Sequence, residues 1–158
     1  MTPLAGIDSL PLAVALRQSA PLHAAVAIVH LVGVGLLLGS VVVLDLRLLG
    51  LSRTLPVRRL AAHILPWTAA AFLLIVPSGL LLFLARASEL IASPLFALKI
   101  MLIFAGGANA ALFHAGTFRG AKAWDTEAMP PASARVAAAI SLVVWVSVLA
   151  CGRLLAKA

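Results

Sequence analysis

From Ala24 to Leu44 the chain runs 21 residues without a charged side chain, with only His30 and Ser40 as polar groups. As an α-helix that run is about 31 Å long, the thickness of a bilayer's hydrocarbon core. Three further runs of the same kind follow, so more than half of the 158 residues are built to meet lipid. In lipid every backbone N–H and C=O needs an internal partner, and helices supply one segment by segment. The expected fold is therefore all-α: an integral membrane four-helix bundle forming a single transmembrane domain over residues 1–158. The expected spans lie at about 24–46, 60–86, 95–116 and 133–153, after a short interfacial N-terminal segment over 1–23. With 63% hydrophobic and 11% charged residues and a mean hydropathy of +1.14, the chain has too little polar surface for a water-soluble globule. A soluble enzyme is excluded.

Punctuation between the runs fits this division. Leu10 to Ser19 reads as a short interfacial helix, and the residues before the first run lack the basic start of a signal peptide. Gly50 and Pro56 break the chain after the first span, and Pro77-Ser78-Gly79 is expected to kink the second. Ser93-Pro94 is a cap and first-turn proline for the third. Thr117 to Pro131 is the most polar stretch and reads as a loop, with Trp124 at the interface.

The net charge of +7 does not mark a nucleic-acid binder, because the basic residues are scattered and not interleaved with aromatics. They sort by loop instead. Arg47, Arg53, Arg58, Arg59, Arg119, Lys122 and Arg135 flank the two connections on one side, against Arg17, Arg86, Arg153 and Lys157 on the other. The positive-inside rule puts the first group in the cytoplasm and both termini outside. A lone Cys151 excludes an intramolecular disulfide and any cysteine-based metal motif.

Ionisable groups inside spans are costly and usually face a partner or a cavity. Depth along the helices sorts them into two layers: Asp45, His63 and His114 near the basic loops, His30 and Lys99 toward the termini. Two histidines at matching depth on different helices suit bis-imidazole ligation of haem b, with His63 and His114 as axial ligands between spans two and three. His30 is a further candidate ligand or proton-handling group. Arg58, Arg59, Arg119 and Lys122 stand where propionates would be paired. The same two histidines with Asp45 would alternatively make a two-His, one-carboxylate metal site, and interfacial histidines bonded to backbone would explain them without any cofactor. Asp45 and Arg47 read as a helix-end anchor, since an acid at a helix C-terminus needs a nearby cation. Gly35 and Gly39 stand in a GxxxG spacing that permits close helix approach.

His30-Leu-Val-Gly33, Gly39-Ser40, Asp45-Leu-Arg47-Leu-Leu-Gly50, Leu55-Pro56, His63-Ile-Leu-Pro66-Trp67, Phe96-Ala-Leu-Lys99, Asn109-Ala-Ala-Leu-Phe-His114 and Ala123-Trp124-Asp125 form a set spread over nearly the whole chain. In that set the sequence resembles an uncharacterised family of small bacterial four-span membrane proteins with a DLRLLG signature. The resemblance implies a bacterial inner-membrane protein and carries no activity. A looser similarity, in helix count and intramembrane histidines only, runs to membrane b-type cytochromes and copper-resistance membrane proteins. Two expectations follow. One is an electron-transfer subunit holding haem b. The other is a non-redox membrane protein that handles metal, serves transport, or acts as a structural partner in a membrane complex. The bilayer is the expected environment, with another membrane or periplasmic protein as a candidate partner and no nucleic acid.

Overall fold

The structure is a computed structural model that describes residues 9 to 157. The first eight residues of the expected interfacial segment lie outside the described residues. Six α-helices follow in order: α1 (Pro11–Gln18), α2 (Ala20–Leu48), α3 (Val57–Ala85), α4 (Ala87–Ile91), α5 (Pro94–Ala115) and α6 (Ala132–Leu155), with a 3₁₀ helix (Thr117–Trp124) between the last two. Helices α2, α3, α5 and α6 are the four long enough and apolar enough to cross a membrane. Their outward faces carry large apolar side chains, among them Leu31, Leu73, Phe104, Leu112 and Val143, each at least two-thirds exposed. Apolar surface on that scale belongs against lipid.

Local chemistry accounts for the ends. Ser19 and Ser93 cap α2 and α5, accepting from Leu22 N and Phe96 N, each with proline at the start of the helix. Helix α1 lies within the stretch Leu10 to Ser19 that the sequence reads as a short helix, and packs on α2 and α3 with Ala13 and Leu16 buried. Helix α3 runs unbroken through Pro66 and Pro77, so the proline step does not interrupt it. The Ser78 hydroxyl, next to Pro77, bonds back to the Leu74 carbonyl.

Helix α2 packs along α3 and along α6, and α6 packs along α5, whereas among the described residues α3 and α5 make no backbone contact. The four spans therefore form an arc, α3–α2–α6–α5, with a gap between its two ends. Close approach on the α2–α3 side is set by Gly33, where a Cβ would stand 2.8 Å from Ile75 Cγ1 and 3.0 Å from Leu74 Cβ. Gly35 and Gly39, the expected GxxxG pair, have nothing within 4 Å of an added Cβ. The GxxxG expectation is thus corrected: the contact runs through the neighbouring glycine, on another side of the helix. On the α5–α6 side Gly106 lies under Trp145 and Val144.

Both ends of the gap are closed by aromatics. Phe83 and Phe96 stack at the terminal end, 5.5 Å between centroids. At the loop end the core joins Leu44, Leu48, Val57, Ala61, Ile64, Phe113, Ala121, Trp124, Ala134 and Ala138 from all four spans and the 3₁₀ helix. Trp124, expected at the interface, is a buried plug of that core at 8% exposure. The stretch read as a loop folds under the bundle because its 3₁₀ turn carries Ala121 and Trp124 on one side.

Candidate functional site

Between the gap and the loop-side core lies a cavity of about 320 Å³ walled by all four spans. From α2 come Ser40, Leu44 and Asp45, from α3 Thr68 and Phe72, from α5 Gly107, Asn109 and His114, and from α6 Ser141 and Trp145. Its rim residues Leu65 and Phe72 on α3 and Gly107 and Ala110 on α5 are exposed, so the cavity opens sideways where those two helices stand apart.

Asp45 is the most constrained polar group in it. The residue is 6% exposed, and its Oδ2 has no hydrogen-bond partner. Ser141, itself buried, is the one side chain placed to hydrogen-bond the carboxyl. The expected anchor pair does not form: among the described residues no cation pairs with Asp45, and Arg47 turns the other way. Arg47 is 2% exposed; its Nε donates to the Leu55 carbonyl at 2.8 Å, and its Nη2 to those of Arg53 at 3.2 Å and Asp125 at 3.0 Å. Two positions along a helix are about 200° apart, which is why one side chain enters the cavity and the other the loops.

His114 brings the second unpartnered atom. Its Nδ1 lies 2.8 Å from the Ala110 carbonyl, which can only accept, so Nδ1 carries the proton. The other ring nitrogen, Nε2, is buried and without a partner. Phe113 and Phe118 fence the imidazole at 5.2 and 5.3 Å between centroids. Two nearby polar groups give a proton to backbone. Asn109 Nδ2 donates to the Ala137 carbonyl at 2.9 Å and Thr68 Oγ1 to that of Ile64 at 3.2 Å. The cavity is apolar over most of its wall and polar at one end.

His63 is not at this cavity. The residues of α3 that line it are Ile64, Leu65, Thr68 and Phe72, and His63 lies roughly 150° around the helix from their mean direction. Its side chain is exposed on the outer face. Among the described residues no three His, Cys, Asp or Glu side chains converge to hold a metal. The structure brings together Asp45 and His114 and leaves out the third member of the expected trio. The arrangement does not fit a haem between α3 and α5 with His63 and His114 as axial ligands, because the two imidazoles do not face a common space.

The terminal half holds the other two ionisable groups. His30 Nδ1 donates to Ser78 Oγ at 3.0 Å, the Ser78 proton being committed to Leu74. Lys99 acts electrostatically on His30 and reaches Gly152, its Nζ standing 3.5 Å from where a Cβ there would be. The direct partner of His30 is thus a serine of α3, while Lys99 lies against α6.

The sequence profile of a family of unknown function, DUF6644, matches residues 20–158. The chain belongs to that family. The match takes in all four spans, both loop-side connections and every cavity residue named above, and leaves out α1, so the DUF6644 unit is the arc and its cavity. No curated protein and no solved structure matches the chain. In this chain Asn109 and Ser141 are the cavity residues that a search for ionisable groups passes over. Uncharged hydrogen-bonding side chains in the middle of an apolar span are the signal that marks them.

Proposed function

We propose that this multi-pass membrane protein binds a small molecule inside the bilayer, in the cavity between α3 and α5, in the service of transport rather than electron transfer. One observation carries the reading: two buried polar atoms, Asp45 Oδ2 and His114 Nε2, lack partners in one cavity that opens toward lipid. A buried polar atom left unsatisfied costs about 1 to 3 kcal/mol, more when charged, and such atoms are retained where something else completes them. The host membrane in this reading is a bacterial inner membrane, with both termini outside, as the distribution of basic residues supports. Haem b is not part of it, since His63 supplies no second ligand.

The test uses the fluorescence of the two tryptophans left in a Trp67→Phe background, Trp145, which lines the cavity, and Trp124, buried in the loop-side core beneath it. Trp67 is 54% exposed on the outer surface, so its replacement leaves the core alone. Titration with 4-bromobenzyl alcohol, a neutral heavy-atom quencher, is expected to give saturable quenching. Gly107→Phe, which fills space at the rim where nothing stands within 4 Å of a new Cβ, is expected to abolish it. Quenching that rises linearly and equally in both proteins, as from a probe dissolved in detergent, would overturn the reading.

A further inference from the structure

Asp45 lacks the partner that a carboxylate inside a membrane most needs. A charge in low dielectric is stable only when paired or hydrogen-bonded on all sides. Among the described residues no cation pairs with Asp45, and the loop-side Arg53, Arg58, Arg59, Arg119, Lys122 and Arg135 are exposed. Arg47, two residues on, points away from the cavity: its Nε and Nη2 donate to the carbonyls of Leu55, Arg53 and Asp125, and its Nη1 is buried without a partner among the loops. Lys99 lies at the opposite end of the bundle, 15 residues before His114 on α5, or about 22 Å along the helix. The only ion pair among the described residues outside this region is Arg86 with Glu89, also at the terminal end.

The rest of the cavity selects for the body that would carry the missing charge. Phe72, Phe113 and Trp145 contribute aromatic walls, and Leu37, Leu44 and Ile64 aliphatic ones. Aromatic faces attract cations, more strongly once water is excluded. His114 Nε2 adds an unpartnered ring nitrogen, while one amide proton of Asn109 and the hydroxyl of Thr68 go to backbone carbonyls. An unpartnered carboxylate oxygen without a cation, an unpartnered imidazole nitrogen, and apolar walls open to lipid together describe one class of ligand.

We infer that the cavity takes a lipophilic organic cation, an apolar body with a protonated amine, whose ammonium group becomes the counter-ion of Asp45 and donates to Asp45 Oδ2 and His114 Nε2. This rests on the cavity being a binding site and adds the chemistry of its ligand. The ligand comes from the lipid phase through the gap between α3 and α5. The small residues Gly107 and Ala110 at the rim leave room for it.

The comparison that tests it pairs two probes of nearly equal size, 4-bromobenzylamine, protonated at neutral pH, and 4-bromobenzyl alcohol. Both are titrated by tryptophan quenching in the Trp67→Phe background. The cation is expected to bind at least tenfold more tightly than the alcohol. In Asp45→Asn that preference is expected to vanish while the alcohol still binds. Equal affinities in the protein carrying Asp45, or an ammonium preference that survives Asp45→Asn, would overturn the inference and leave the cavity as a neutral-ligand site. Binding of neither probe would overturn the cavity reading itself. Should Asp45→Asn fail to fold, the two-probe comparison in the protein carrying Asp45 decides alone, with Ser141→Ala, which loosens the carboxyl without removing it, expected to narrow the preference.

Discussion

Arg47 and Asp125, 78 positions apart, are joined at 3.0 Å by a guanidinium nitrogen and a main-chain carbonyl, and that bond ties the two loop-side connections into one unit. The Asp125 carbonyl also accepts from Val57 N at 3.0 Å, and its side-chain Oδ1 from Arg58 N at 2.8 Å. Asp125 thereby caps α3 from a distant loop, satisfying N–H groups that an α-helix leaves open at its start. Glu127 N adds a bond to the Arg53 carbonyl at 2.9 Å. The loop-side core and the floor of the cavity sit directly on this unit.

Arg47→Ala is therefore expected to be among the most destabilising single changes in the chain. It removes three charge-assisted bonds that tie α2 to both loop-side connections, at a cost of about 3 kcal/mol or more. Arg47→Lys is expected to recover only part of this, since an ammonium cannot reproduce the planar fork. Thermal unfolding in detergent checks both. An Arg47→Ala protein that melts with the unsubstituted one would show that the loops hold without the guanidinium.

How much of this was legible beforehand follows from what each feature depends on. The four spans depend on hydrophobicity summed over some twenty residues, which is local, and the helices fall close to their expected limits. The cavity depends on which helices touch, and apolar helices of similar composition give no sign that α3 and α5 stand apart. Depth placed Asp45, His63 and His114 in one layer, but depth says nothing of facing, and His63 turned out to lie on the far side of α3. The role of Arg47 was hidden because its partners are carbonyls of Leu55, Arg53 and Asp125, which leave no mark in a side-chain pattern.

The glycines of α2 separate by facing. Gly33→Ala would place a methyl group 2.8 Å from Ile75 Cγ1 and 3.3 Å from the Ala71 carbonyl, and forcing the helices apart there is expected to cost about 1 to 3 kcal/mol. Gly35→Ala and Gly39→Ala meet open space and are expected to be neutral or to stabilise by up to about 1 kcal/mol through helix propensity. Three melting curves decide it. Equal destabilisation by all three would mean that the contact face of α2 extends around the helix.

His63 offers a contrast with His114. Exposed on the outer face of α3, it is expected to tolerate replacement by alanine with stability within about 0.5 kcal/mol and with unchanged tryptophan quenching by either probe. His114→Ala removes an acceptor from the cavity and is expected to weaken binding of 4-bromobenzylamine several-fold. A His63→Ala variant that loses binding while His114→Ala keeps it would reverse the assignment.

His30 lies in the other half of the bundle, and its replacement separates the two polar layers. Its Nδ1–H is given to Ser78 Oγ, while Ser78 keeps its own bonds to the carbonyls of Leu74 and Ile75 when the imidazole is gone. Removing the histidine therefore strands no buried donor, and one interhelical hydrogen bond in a membrane is worth about 0.5 to 1.5 kcal/mol. His30 also lies against Gly79, where an added Cβ would come within 3.1 Å of its Cε1, so a branched replacement has to fit that contact. His30→Leu is accordingly expected to lower the melting temperature modestly and to leave probe binding at Asp45 intact, because the cavity is lined on α2 from Leu37 onward. Gly79→Ala, which presses on the imidazole without removing it, is expected to have a similar small effect. Loss of 4-bromobenzylamine binding in a folded His30→Leu protein would show that the two polar layers act as one path through the bundle.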